Sequence, residues 1–234
     1  MRAFFIATLV TLCIAAQPRA AGQSVPATAK ASSPVDMTGY WVAFVTEDWR
    51  FRMVTPRKGD YQAVPMTEQA RKVADAWNPE ADEASGNQCK AYGAAAIMRL
   101  PARFHITWQD DNTLRVDSDA GMQTRLFHFN SQPSALGERT GQGYSTAQWQ
   151  GSALKIATSN LRPGYLRKNG VPYSENAAVT EYFDIAPLPG GGQVLLVTTV
   201  VDDPQYLRLP FIVSSQLKKE ADGSKWDPAP CTAK

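Results

Sequence analysis

From residue 97 to residue 219 the chain alternates apolar and polar side chains with a period of two, the pattern of strands that bury one face. The predicted strands are 97–100 continuing into 103–109, then 114–117, 122–129, 143–150, 154–160, 179–185, 193–201 and 211–219. Turn residues separate them: Asp110-Asp111-Asn112, Ser118-Asp119-Ala120-Gly121, Gly151-Ser152 and Pro189-Gly190-Gly191-Gly192. Upstream, 39–54 reads as one long strand, with Glu47-Asp48 marking a bend or bulge. Thr67 is placed to cap a helix presenting Ala70, Val73, Ala74 and Trp77 on one side. Asn78-Pro79 ends that helix, and 80–86 holds a further turn. The fold class is all-β with minor helix. Close spacing predicts an antiparallel meander of about eight to nine strands, with a short helical insertion after the first. Several strands are apolar on both faces, which favours closure into a barrel over an open sheet with exposed edges.

The first 22 residues break the pattern. Arg2 precedes an apolar run over 4–16, and Ala20, Ala21 and Gly22 follow, as in a secretory signal peptide. That run is short for a bilayer span, and the next richest, 194–201, is shorter. The expectation is an exported protein, periplasmic or secreted, with no membrane span after signal cleavage. Residues 23–35 are poor in bulky apolar groups and read as a disordered lead-in. Residues 36–234 then form a single domain. Cleavage removes Arg2 and Arg19 from the 24 basic residues and leaves bases and the 22 acids in balance. A neutral chain argues against nucleic acid as a partner. Cys89 and Cys231 are the cysteines left, and an oxidising compartment predicts a disulfide between them.

Thr38-Gly39-Tyr40-Trp41, at the start of the first strand, resembles the Gly-x-Trp signature that opens lipocalin-like (calycin-type) barrels. The resemblance implies an eight-stranded cup for a small apolar ligand, with Trp41 as the plug of its closed end. The insertion over 56–95 and the lack of a clear C-terminal helix depart from that pattern.

Candidate chemistry falls on a few positions. Alternation puts Glu181 on the apolar face of its strand, with Val179 and Phe183. A buried carboxylate must be paired or protonated, so Glu181 is either a functional acid or half of an Arg–Glu pair. His105 and His128, the two histidines, lie on strands that could both face a cup. The segment 161–184 crowds Arg162, Tyr165, Arg167, Lys168, Tyr173 and Glu175 together, and the turn pairs Pro163-Gly164 and Asn169-Gly170 bend its backbone. Residues 165–176 are expected to form a lid over the barrel mouth, with Tyr165 and Tyr173 facing a ligand. Arg50, Arg52, Arg125 and Arg167 are candidates to hold an anionic group. No metal site is expected, because no His/Cys cluster has ligand spacing and Asp117-x-Asp119-x-Gly121 lacks further calcium ligands. No cofactor is expected either.

The functional expectation is an enzyme of lyase, decarboxylase, hydratase or isomerase type acting on a small, partly aromatic, carboxylated molecule. Glu181, His105, His128 and Tyr173 would supply acid–base chemistry, and arginine the anion site. The alternative is a non-catalytic lipocalin-like carrier of a small hydrophobic ligand. The oligomeric state is not readable from the sequence.

Overall fold

The computed structural model describes residues 27–131 and 137–234. The leader read over 1–22 lies outside them. The strands are β1 (Gly39–Ala43), β2 (Arg103–Asp110), β3 (Thr113–Ser118), β4 (Gln123–Phe129), β5 (Tyr144–Gln150) and β6 (Ala153–Ser159). After them come β7 (Gly164–Arg167), β8 (Val171–Tyr173), β9 (Ala178–Pro187), β10 (Gln193–Asp202) and β11 (Phe211–Lys219). Nine of these close into a barrel in the order β1-β11-β10-β9-β6-β5-β4-β3-β2, and β7 pairs with β8 outside it.

The predicted meander needs one correction. β4 and β5 pair in parallel through Phe127–Ser145, His128–Thr146 and Phe129–Ala147, which makes the barrel mixed. The other barrel pairs are antiparallel. A parallel step needs the chain to return to the end where β4 began before β5 starts, and residues 130–143 are available for that.

Two predicted strands are shorter than expected. β1 stops at Ala43, after which Asp48 takes a left-handed conformation (φ 51°) and the helical turn α1 (Trp49–Arg52) follows. Trp49 and Met53 are four apart, a spacing that suits a helix face as well as a strand face. Residues 97–99 form a 3-10 turn rather than the start of β2. Pro101 cannot donate to a ladder and separates the two. The first helix starts at its expected cap, whereas Asn78, read as the end of that helix, instead caps the next one. Thr67 Oγ1 accepts from the Ala70 amide at the start of α2 (Glu68–Asp75), and Asn78 does the same for α3 (Pro79–Ala84). Ala70 and Ala74 are buried, but Val73 is exposed.

The barrel lumen is a packed core. Trp41, Phe104, Ile106, Leu114, Phe127, Leu154, Ile156, Phe183 and Leu217 point inward and are buried. Phe127 and Phe183 meet edge to face across the lumen at 5.6 Å. At the end where β1 begins, residues 27–37 close the barrel. Met37 and Ala29 join the core, Trp41 Nε1 donates to the Met37 carbonyl (2.9 Å), and the Ala29 amide donates to Asn112 Oδ1 (3.0 Å). The described part of the expected disordered lead-in is thus held against the barrel.

The opposite end is covered by residues 44–102, the β7–β8 hairpin and the turn after β10. They share a second core of Tyr61, Met66, Ala70, Ala74, Leu161, Leu166, Val171, Tyr173, Val201 and Phe211. Asp203 fastens the hairpin by accepting from the Ser174 amide (2.6 Å) and hydroxyl (2.8 Å). Cys89 and Cys231 are joined, 142 residues apart, which ties the C-terminal tail to this cap. By chain entropy so long a loop is worth about 5 kcal/mol. Among the described residues no helix is long and apolar enough to cross a membrane.

Trp41 fills the lumen from the first strand, so Trp41→Ala should lower unfolding free energy by about 3–5 kcal/mol in urea denaturation. A loss below about 1 kcal/mol would mean that the indole is not a core plug.

Candidate functional site

The residues singled out from the sequence do not gather at one point. Glu181 faces the lumen from β9, fully buried, and is met by Arg125 from β4. Two strands separate β9 from β4 in the barrel order, so the pair spans the interior. Arg125 Nη1 donates to Glu181 Oε1 (3.0 Å) and Nη2 to Oε2 (2.5 Å). Arg125 Nη2 also reaches Thr158 Oγ1 (3.4 Å), which shares a 2.8 Å hydroxyl contact with Ser145. Both carboxylate oxygens are committed to the guanidinium. Of the two readings of Glu181, the paired one holds, and the partner is Arg125.

The histidines lie on the outer wall. On β2 the inward positions go to Phe104 and Ile106, and on β4 to Phe127 and Phe129, because larger apolar side chains gain more from burial. His105 stacks on Tyr40 at 4.0 Å with Trp226 beside it at 6.3 Å. His128 stacks on Tyr144 at 4.9 Å. Neither faces the lumen, which corrects the expectation of a shared cup.

The expected lid is part of the cap's core. Leu166, Asn169, Val171 and Tyr173 are buried, and the Asn169 amide donates to the Arg57 and Asp60 carbonyls (3.1 and 3.0 Å). Gly170 (φ 82°) lies against Trp77 so closely that a Cβ would overlap its ring. Tyr165 donates to Asp82 Oδ2 (2.7 Å); burial and that carboxylate push its pKa up. Tyr173 packs where a Cβ on Gly164 would lie 2.6 Å from its hydroxyl, and burial pushes its pKa up too. The two tyrosines therefore serve separate contacts.

The arginines tell a different story. Arg50 is exposed and pairs with Asp60. Arg52 and Arg167 are brought together with Arg99, and all three are buried, at 7, 3 and 5 % exposure. Each arrives by a local device. The left-handed turn at Asp48 lets α1 fold Arg52 back, so that Nη1 donates to Glu47 Oε1 (2.7 Å) and Nε to the Arg99 carbonyl (2.8 Å). The 3-10 turn carries Arg99, whose Nη2 donates to Asp48 Oδ2 (3.2 Å). A register shift in the β7–β8 hairpin precedes Arg167. Its guanidinium lies 4.1 Å from the Phe51 ring centroid, and Nη1 donates to the Gln62 carbonyl (2.8 Å).

Charge and hydrogen bonding are both left open there. Glu47 and Asp48, each partly solvated, serve Arg52 and Arg99. Among the described residues no carboxylate contacts Arg167. Arg52 Nη2, Arg167 Nε and Arg167 Nη2 are buried without a partner. Burial pulls the pKa of all three arginines down, that of Arg99 to about 10 with Arg167 as the second cause. The three line a recess of about 30 Å³ together with Phe51, Val54 and Leu166.

No protein-family model, curated protein or solved structure matches this chain.

Geometry alone therefore selects the recess. Arg52 and Arg167 were anticipated as anion ligands; Arg99 was not. Its signal was present, since it sits between Met98 and Leu100 in an apolar run, as Glu181 sits between apolar neighbours on its face.

Replacing Glu181 by Gln strands the Arg125 charge in the lumen and should cost about 3–5 kcal/mol in urea denaturation. Adding Arg125→Met to that variant should recover most of the loss. A neutral single substitution would show that the pair carries no buried charge.

Proposed function

We propose that this is an exported, non-catalytic barrel protein that binds a small carboxylate in the recess formed by Arg52, Arg99 and Arg167. One observation carries the reading: three buried guanidiniums face two carboxylates, and three of their N–H groups have no partner. Burying a charge with no counterion is unfavourable, and each unmet N–H adds to the cost. One monoanion would correct both deficits. The recess favours a carboxylate among such anions. A water-sized atom needs about 10–15 Å³, so about 30 Å³ takes the two oxygens of a carboxylate more readily than the four of phosphate or sulfate. Guanidinium also matches carboxylate at two points.

The lipocalin-like reading draws support from Trp41, which occupies the lumen beside Met37 at the closed end. Ligand binding is assigned instead to the capped end, because the lumen is filled. The disulfide is compatible with export. The acid–base reading has no assembled set of groups: Glu181 is held by Arg125, and His105 and His128 stand on the outer wall.

Titration calorimetry with benzoate and acetate at fixed salt should give saturable one-to-one binding, and benzamide should give none. Arg99→Gln and Arg167→Gln should each weaken binding at least tenfold, the order expected for a charge-assisted bond of about 1.5–3 kcal/mol. Affinity should fall as pH rises through about 10, where Arg99 gives up its proton. Absence of saturable binding by any carboxylate, or undiminished affinity in both variants, would overturn the proposal.

A further inference from the structure

We infer that the ligand is an amphiphilic monocarboxylate, with its head on the arginines and an apolar chain leading out past Val54; this rests on the carboxylate reading above. The recess has two chemistries. Its charged wall is Arg52, Arg99 and Arg167, with Lys168 at its edge, and its remaining wall includes Phe51, Val54, Ala96, Leu100 and Leu166. A free inorganic anion would have no use for the second wall. The Lys168 ammonium is engaged by Thr232 Oγ1 (3.1 Å) and the Lys234 carbonyl (2.9 Å), so the one uncompensated guanidinium charge is met by a single carboxylate.

The opening continues the apolar wall to solvent. Val54 lines the recess and is itself 60 % exposed. Trp49 and Met53 belong to the same short turn and its cap, and are 66 and 54 % exposed. Apolar side chains scattered singly on a surface need no explanation, but three lie within the six residues 49–54, and one of them, Val54, lines the charged recess, which makes the segment a candidate for contact. The segment cannot turn these residues inward, because Arg52 of the same turn is anchored to Glu47 and to the Arg99 carbonyl. A chain lying over Val54, Met53 and Trp49 would remove apolar surface from water on both sides. The filled lumen leaves no room for such a chain inside the barrel.

The test is a chain-length series on the full mature protein with its disulfide intact: acetate, butyrate, hexanoate and octanoate below their micelle concentrations, with octanol and octylammonium as controls. Affinity should rise about two- to fourfold for each added methylene, the range set by partial to full burial at up to about 0.8 kcal/mol each. Octanol and octylammonium should bind at least tenfold more weakly than octanoate. A Met53→Ser, Val54→Ser protein should show a smaller octanoate-to-acetate ratio. A flat series, with acetate binding still lost in Arg167→Gln, would overturn the amphiphile and leave the carboxylate site standing. Equal binding of octanol and octanoate would also overturn it, by making the surface an apolar patch indifferent to charge. If no carboxylate binds at any length, both the inference and the reading beneath it fail.

Discussion

Burying a guanidinium away from water is unfavourable unless its charge and its N–H groups are met, and this fold buries Arg52, Arg99, Arg125 and Arg167 near one end of the barrel. The four are met unequally. Arg125 has a whole carboxylate to itself inside the lumen, gripped at two points. Arg52 and Arg99 have partly solvated carboxylates at the edge of the cap, and Arg167 has a backbone carbonyl and an aromatic face. The first arrangement balances the charge inside the core and leaves only Arg125 Nε without a partner. The second leaves one guanidinium charge without a contacting carboxylate, which is the basis of the proposed anion site. That contrast separates a stabilising pair from a candidate binding site, although sequence alone gives the same residue types at both.

The architecture explains why the open arrangement lies at the capped end. The lumen holds aromatic and aliphatic side chains at close packing, so it offers no cup. What remains is the junction between the barrel rim and the chain laid across it. Residues 44–102, the β7–β8 hairpin and the turn after β10 each contribute to a second core there. Each of the three arginines comes from this added layer rather than from a barrel strand, and each is aimed by an irregular feature: a left-handed residue, a 3-10 turn and a hairpin register shift. The Cys89–Cys231 bond ties the same layer to the end of the chain. Reducing the freedom of such a layer in the unfolded state is where a cross-link of this length acts.

Much of the barrel was legible because a half-buried strand writes its period directly into the sequence. Residues 103–109, 193–201 and 211–219 show it, and β2, β10 and β11 fall there. The parallel β4–β5 step was not legible, since pairing direction depends on where a connection returns and not on either strand's composition. The 39–54 segment misled because Trp49 and Met53, four apart, fit a strand face and a helix face alike. The 165–176 segment misled for a related reason. Tyrosine, arginine and asparagine in a long loop suit a ligand, but they equally suit a buried hairpin that must satisfy its backbone and its neighbours', as Asn169 does. At the site itself, Arg52 and Arg167 were visible by type, but their meeting with Arg99 depends on contacts 47 and more residues apart in the chain.

The most direct measurement is a crystal structure of the mature protein grown with 3-bromopropionate, read at the bromine absorption edge. The account predicts carboxylate density within hydrogen-bonding distance of Arg52 Nη2 and Arg167 Nη2, with one anomalous bromine peak toward Val54. Saturating ligand with water alone in the recess, or the bromine peak inside the barrel lumen, would contradict it.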